Sequence, residues 1–454
     1  MENSKFKTEY KLKQHTMLLH FQAKPSSGEN VCLRASEVKP KLDRFILKKL
    51  GEIKTVKEKY SSWIQAEHLN GNDVAFKYRM TIKADKTEVK HPNDIPKIYY
   101  GNMGKSNQDK LHAVIFPSGV ALTITCFIPK LSDYIKKHIV EFFAVTNFGT
   151  MQNKGFGSFT IEGIDEETVI IDEETVIEAL KNNYDSKKCF RIAVNQSGYD
   201  NETQKTLFNT VKQVYSVMKS GQNKVITNPD RTITTDERKY IRSFIYDYMH
   251  EKYIGNEKAY LKLNKVVPIR TTHGDYNGYI VRKRGHEDLS DGHECVRQNS
   301  FLKHRYIRLL LGFGASMSWL QPVAECYNEH NDKFYSPNRE VISVEDITNT
   351  EEDKNIARCP SPIFFKIIGS NIYFTANNPN EKTFERKFKF TNTGYEQNGE
   401  RRGRRKDNSD SIDTLKSDEA KLFDMADFLT KYKGYYNNNI NKFRRNLRFP
   451  IEEV

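Results

Sequence analysis

Asn147–Phe159, NFGTMQNKGFGSF, is the stretch on which the reading of this chain turns. Gly149, Gly155 and Gly157 punctuate it and bracket Lys154 and Phe156. Glycines at this spacing let the backbone take positive φ and let another backbone come close. Free N–H groups in such a loop, with a lysine beside them, make a phosphate cradle. The same spacing also describes an ordinary glycine-rich helix-to-strand turn. It is not a Walker A loop, because no Gly-Lys-Ser/Thr opens a following helix. Nor is it a dinucleotide fingerprint, since the order is helix-loop-strand rather than strand-loop-helix. The flanking elements have to decide.

Upstream, Ser132 opens a predicted helix with Ile135, Ile139 and Phe142 or Phe143 on one stripe, and FGSFTIEG downstream reads as a strand. Before the helix, LHAVIF, a turn at Pro117-Ser118-Gly119 and VALTITCFI read as a hairpin. Val74, Phe76, Tyr78, Met80 and Ile82 alternate with Lys77, Arg79 and Lys83, a half-buried strand with a basic outer side. Residues 84–110, polar and carrying Pro92 and Pro96, read as a long loop. Val38, Leu42, Phe45, Ile46 and Leu50 predict a helix from Ser36 to Leu50. Ser36 is a good N-cap type, with Lys39 where a capping box needs Glu or Gln. TMLLHFQA at 16–23 reads as a buried strand. Strand, helix, strands, helix, strand is the split β-α-β order, so the expected class is α+β with a ferredoxin-like (RRM-like) first unit over 1–163.

Residues 164–177 contain IDEETVI twice in succession. The repeat is too short for a solenoid and reads as an acidic surface insertion within a connection spanning 164–187. Beyond it, 188–454 reads as a second, divergent ferredoxin-like or helical α+β unit. Helices are expected over 201–219, 235–253, 299–311 and 416–432, and a hairpin over PIFFKII, Gly369-Ser370-Asn371 and IYFTA. Arg282-Lys283-Arg284 forms one basic run. Arg401-Arg402-Gly403-Arg404-Arg405-Lys406 forms another, inside an Asn/Ser/Gly-rich stretch, 392–418, that reads as a mobile loop.

The totals narrow the partners. Seventy-two Lys and Arg against 59 Asp and Glu leave a formal charge of +13, a balance that favours polyanions such as nucleic acid. Twenty-four Tyr and 27 Phe supply candidate stacking platforms, most of them destined for the core. No apolar run approaches the ~18–20 residues of a membrane helix, and MENSKFKTEY lacks the apolar segment of a secretory signal, so a cytoplasmic location is expected. Six scattered cysteines without a Cys-x-x-Cys pair suit reduced, structural thiols.

With these residues in hand, the chain resembles the RAMP superfamily, ferredoxin-fold RNA-binding subunits of CRISPR effector complexes. MQNKGFGSF looks like that family's glycine-rich loop between its second helix and fourth strand, which implies RNA-backbone contact at Gly149, Lys154, Gly155, Phe156 and Gly157. LRASEVKPKLDRF at 33–45 looks like the signature Ser-x-x-Lys-Gly-x-x-Arg opening the first helix. Ser36 and Lys39 match; Pro40 stands for the glycine and Asp43 for the arginine, with Arg34 and Arg44 keeping the charge. ARCPSPIFFK at 357–366 and RLLLGF at 308–313 look like segments of the two-domain subunit near the tail of type III-B complexes. The resemblance implies guide RNA, target RNA and other RAMP subunits as partners, with no cofactor and no membrane.

Some RAMP proteins cleave precursor CRISPR RNA with a histidine near the first helix. His15 and His20 are the candidates here, and His20, placed in a strand, reads first as a core or sheet-face histidine. In those nucleases the glycine-rich loop lies close to the C-terminus, whereas here most of the chain follows it. Other RAMP subunits cut target RNA with an aspartate after the first strand; Lys24–Val31 holds Glu29 and no Asp, and Asp43 reads as a solvated helix residue. His286, His293 and Cys295, near His273, have metal-ligand types without a known zinc spacing. The expectation is a non-catalytic RNA-binding subunit of a type III effector, the alternative a metal-independent endoribonuclease.

Overall fold

Alternation in KTEYKLKQ builds the central strand of the first sheet. In β1 (Lys7–Gln14) Thr8, Tyr10, Leu12 and Gln14 are buried while Lys7, Glu9, Lys11 and Lys13 are exposed, the period of two of a half-buried strand. The sequence reading began the fold at residue 16 and missed β1, whose buried side carries only two large apolar residues. The protein is described here from a computed structural model over residues 6–21, 33–67, 73–90, 111–194, 201–224, 239–264, 280–281, 302–313, 316–320, 326–328, 333–335, 339–348, 355–356, 358–397, 400–402, 408–443 and 445–454.

After β1 come β2 (Leu18–Phe21), α1 (Ala35–Leu50), β3 (Arg79–Lys83), β4 (Leu111–Ile115), β5 (Val120–Thr125), α2 (Pro129–Val145), β6 (Phe159–Ile164), β7 (Glu167–Thr168) and α3 (Glu173–Asn183). The sheet order is β7-β6-β1-β5-β3 with antiparallel neighbours. α1 therefore leads from β1 to β3 across β5, and α2 leads from β5 to β6 across β1. Val38, Leu42 and Ile46 of α1 and Leu131, Ile135 and Ile139 of α2 pack with Tyr10, Leu12, Leu122 and Ile124 in one core. α1 opens on Arg34 without a side-chain cap, placing Ser36 inside the first turn instead of at the N-cap, and α2 opens on Pro129 rather than Ser132. Proline suits a first helical position because that N–H has no intrahelical partner.

The expected hairpin at Pro117–Gly119 does not form. The turn is real, with Gly119 N–H donating to Phe116 O at 3.0 Å, but β4 and β5 do not pair with each other. β5 pairs with β1 (Leu12 opposite Val120) and β4 with β2 (Leu18 opposite Val114), in one register carried across the gap. Gln14 spans the interruption: its Nε2 donates to Val114 O at 3.0 Å and its Oε1 accepts from Phe116 N–H at 2.8 Å. A buried side-chain amide thus stands in for two missing ladder bonds.

The two copies of IDEETVI fold differently. The first ends β6, turns at Asp165 (φ 53°) and pairs as β7. The second puts Asp172 at the N-cap of α3, accepting from Thr175 N–H at 2.8 Å, and buries Val176. Pairing to β6 fixes the first copy as strand; the second has a capping aspartate and an apolar helical face to bury.

The second unit comprises β8 (Phe190–Ala193), α4 (Asn201–Lys219), α5 (Phe244–His250), β9 (Arg339–Asp346), β10 (Ile363–Ile368), β11 (Asn371–Ala376), β12 (Lys387–Gln397), β13 (Asn408–Asp413), α6 (Met425–Asn438) and β14 (Glu452–Glu453). Its sheet runs β10-β11-β8-β14, again antiparallel and again crossed by helices. β9, β12 and β13 build a further sheet inserted in the chain. Three expectations change here. Residues 392–397 and 408–413 are strand rather than mobile loop, because Phe388, Phe390, Asn392 and Ile412 are buried in an alternating pattern that polar composition concealed. Residues 299–311 give a strand, Lys303–Arg305, and a 3-10 turn, Ile307–Leu311, with Arg308 buried against Glu257. The 235–253 helix shrinks to α5 behind a strand, Lys239–Ile241.

Replacing Gln14 by Glu removes the donor to Val114 O while keeping the shape. The expected loss is about 1–3 kcal/mol, read as a lower urea midpoint at unchanged m-value; an unchanged midpoint would show that the interruption needs no bridge.

Candidate nucleic-acid interface

The glycine-rich loop closes the joint between the two sheets. β10 is an edge strand, and the loop runs along its free edge with Lys154 bridging to Phe365. Asn147 Nδ2 donates to Phe365 O at 2.8 Å, Phe365 N–H to Asn153 O at 3.2 Å and Ser158 Oγ to Ile367 O at 2.6 Å. Gly149 and Gly157 take φ of 76° and 63°; a Cβ on the first would lie 2.5 Å from Leu19 O and on the second 2.0 Å from Phe148 O. Close backbone approach is real, but the approaching backbone is the protein's own.

The loop's amides are spent in the same way. Gly149 N–H donates to Glu37 Oε1 at 2.6 Å, Thr150 N–H to Leu19 O at 2.8 Å and Gly157 N–H to Met17 O at 3.0 Å. Phe156 is fully buried and stacked on Phe208, with centroids 3.8 Å apart. Lys154 Nζ lies 2.8 Å from the centroid of the Tyr215 ring and is buried with no hydrogen-bond partner. Burial, with Lys219 nearby, pushes its pKa well down. In the chain as folded, Lys154, Gly155 and Phe156 face the joint rather than a ligand.

Two further side chains lock the joint. Lys366 Nζ donates to Phe143 O at 2.7 Å, Thr146 O at 2.9 Å and Phe159 O at 3.0 Å, tying β10 to the end of α2. His15 accepts from Gly369 N–H on Nδ1 at 3.2 Å, which leaves Nε2 to donate to Thr160 Oγ1 at 2.8 Å. That fixes a neutral tautomer, and burial assisted by Lys366 and Lys13 pushes His15 down to about 3. Neither nitrogen is available as a general acid or base.

The surface part of the predicted site surrounds the start of α1. Arg34, Ser36 and Arg44 are exposed, Arg44 pairing with Asp73 at 2.9 Å. Lys39 is half-buried and donates to Asp43 Oδ2 at 2.8 Å and Phe76 O at 3.1 Å. Asp43, expected on the solvated side, is instead buried beside Tyr78, and burial raises its pKa against the pull of Lys39. Lys41, which the sequence reading passed over, links Glu37 Oε1, Asn147 O and Gln152 Oε1 at 2.9, 3.0 and 2.6 Å. Its spacing of four from Glu37 was the available signal. His20 is buried near this cluster, its Nε2 without a partner. Burial lowers its pKa, with Glu37 opposing and Arg34 and Lys41 adding, so it is neutral near pH 7.

Arg401 and Arg402 lie on a strand, Glu400–Arg402, paired with β12. Arg282, Lys283, Arg284, His273, His286, His293, Cys295, Arg404, Arg405 and the Lys24–Val31 loop lie outside the described residues. Among the described residues no group of three or more His, Cys, Asp or Glu could hold a metal ion, and no helix is long and apolar enough to cross a membrane.

Two family models, one after the other, account for most of the chain. Residues 5–222 match the Cmr1 N-terminal domain and residues 240–453 the Cmr1 C-terminal domain. The chain belongs to the Cmr1 family. Among solved structures, a chain of the cryo-EM structure of the type III-B Cmr-beta bound to cognate target RNA is 16% identical with a TM-score of 0.24, the match covering 35% of this chain and 59% of that one. The protein thus spans about three fifths of that subunit's length. The apo crystal structure of Cmr1 from Pyrococcus furiosus is 10% identical with a TM-score of 0.33, covering 60% of this chain and 80% of that one. No curated protein matches.

The depressed His15 pKa sets a pH dependence. The unfolded chain gains a proton at His15 below about 6.5 that the folded chain refuses until about 3. This contribution to stability is therefore full above 6.5 and falls by about 1.4 kcal/mol per pH unit below it. Urea unfolding at pH 7.5 and 5.5 should show a smaller acid loss for His15→Gln than for the unmodified chain; equal losses would refute a neutral buried His15.

Proposed function

We propose that this chain is a non-catalytic subunit of a type III CRISPR ribonucleoprotein that holds guide RNA, or the guide–target duplex, by its phosphate backbone and packs against other effector subunits. Membership of the Cmr1 family carries the reading. The related type III-B assembly is described as bound to cognate target RNA, and RNA is the ligand proposed here.

The contact surface is proposed at the opening of α1 and the rim of the glycine-rich loop. α1 begins without a side-chain cap, with Arg34 and Ser36 exposed at its positive end, an arrangement that accepts phosphate. Arg44 extends the charge, Lys39 can exchange Asp43 for a phosphate, and half-exposed Gly149–Gln152 forms the far side. Lys154, Gly155, Phe156 and Gly157 are assigned a supporting role, shaping the rim from behind. Arg282–Arg284 and Arg401–Lys406 are auxiliary contacts. Backbone contacts of this kind give affinity without reading sequence, as a guide-holding subunit requires when base pairing does the reading.

The non-catalytic assignment is supported by the histidines. His15 has both nitrogens engaged. Glu37, the carboxylate beside His20, is occupied by Lys41 and the Gly149 amide. The alternative, a metal-independent endoribonuclease, would rest on His20 alone.

The test mixes purified full-length chain with labelled repeat–spacer RNA without metal, following binding against salt and cleavage together. Arg34→Ala with Arg44→Ala should weaken binding and lower the logarithmic salt slope by about 1.4, two single-strand phosphate contacts. Lys154→Met should leave affinity unchanged, and the RNA should stay intact. Site-specific cleavage abolished by His20→Ala would replace this reading with the nuclease.

A further inference from the structure

Among the described residues, the face of the first sheet opposite α1 and α2 carries no core. Its side chains form two basic rows separated by a lane of small residues. On β1, Lys7, Lys11 and Lys13 are exposed; on β3, Arg79 and Lys83 are exposed. Between them runs β5, presenting half-exposed Ala121, Thr123 and Thr125. The register aligns Lys7, Thr125 and Arg79 across the three strands, and Lys11, Ala121 and Lys83 two rungs further on. Among the described residues, none of these five cations is in an ion pair. Glu9 sits on the same face opposite Thr123, and Glu162 is exposed on β6 beyond it, so the charge is mixed but predominantly basic.

At one end of the lane stand two aromatic rings that the fold does not bury. Phe127 is 70% exposed and Phe6 40% exposed, with their centroids 5.3 Å apart. Cys126 N–H donates to Phe6 O at 2.9 Å, holding the two segments together at the mouth of the sheet. The opposite end is closed by the joint, where His15 meets Gly369.

We infer that this sheet face is a second nucleic-acid surface, separate from the α1 rim, that takes a single strand of RNA with a base on the Phe6–Phe127 pair. β1 and β3 are two strand spacings apart, about 10 Å, a width that suits one strand lying along the lane. Basic rows suit phosphates on both sides of the lane. The exposed phenylalanines supply a sequence-tolerant stacking surface, which an acidic protein segment would not use. A guide or target leaving its duplex would offer such a strand. The inference rests on the RNA-binding reading above.

The experiment uses the full chain, a short fluorescein-labelled oligouridylate and its duplex with oligoadenylate, with affinity measured against salt. Phe127→Ala should weaken the single strand about ten-fold, one stacked base, and leave the duplex within two-fold. Lys7→Ala with Lys11→Ala and Arg79→Ala should lower the single-strand salt slope by about two. All four positions are exposed, and thermal midpoints should match the unmodified chain. If both sheet-face variants keep full affinity while Arg34→Ala with Arg44→Ala loses it, the sheet-face inference fails and the α1 reading stands. If the unmodified chain binds neither probe, the RNA-binding reading fails and this one with it. If the variants keep RNA affinity but lose co-purifying effector subunits, the face belongs to a protein and the inference is overturned.

Discussion

Lys366 pins one sheet to the other. A lysine with no exposed surface reaches from an edge strand of one sheet into the end of a helix on the other. Two of its three carbonyl acceptors, Phe143 and Thr146, come from the C-terminus of α2, where carbonyls lack intrahelical partners and the helix dipole is negative. Burial pushes its pKa well down, and the three acceptors oppose this by favouring the charged form. Removing the side chain would strand three carbonyls at the joint, so the position tolerates little else. Once Lys366 is there, the loop leaving α2 has to turn sharply beneath it. Gly149 and Gly157 allow that turn, and Asn147, Asn153 and Ser158 occupy the edge groups of β10 and the segment before it.

How much of this was legible depended on range. The helical stripes of α1, α2 and α4 and the β10–β11 hairpin were readable because the pattern and its consequence lie within one element. The Pro117-Ser118-Gly119 turn was readable as a turn, but pairing was not, because each flank found its partner in β1–β2, about a hundred residues away. The duplicated IDEETVI makes the same point more sharply. Identical residues became strand and helix, and only the neighbours differ. Local propensity is a weak prior once tertiary pairing is on offer.

The site divided along the same line. Positive φ and close approach at the glycines were correctly implied by composition, yet phosphate and protein backbone make the same demand on a glycine. Here the close neighbours are the protein's own backbone at Leu19 and Phe148, with Ile367 of β10 against Gly155, and that packing decides between them. Lys366 left a trace in the sequence as the one charge within PIFFKII, since a lone lysine in a strand buried on both faces needs internal acceptors. Lys39 and Asp43, four apart on a helix, were also a legible pair; what could not be read was that Tyr78 would cover them.

The burial pattern changes what the formal charge means. Polyanion binding depends on cations that can exchange counterions for phosphates, and several of this chain's lysines cannot. Lys154 is enclosed over Tyr215, where burial, with Lys219 adding, makes its protonation costly. Lys219, donating to Gly312 O at 2.5 Å, is pushed down to about 7 by burial, with Arg308 adding. The charge of +13 therefore overstates the field that an approaching nucleic acid meets. Among the exposed cations, two groups are arranged rather than diffuse. One group lies at the uncapped start of α1, the other in two rows along the open sheet, on opposite faces of the same unit.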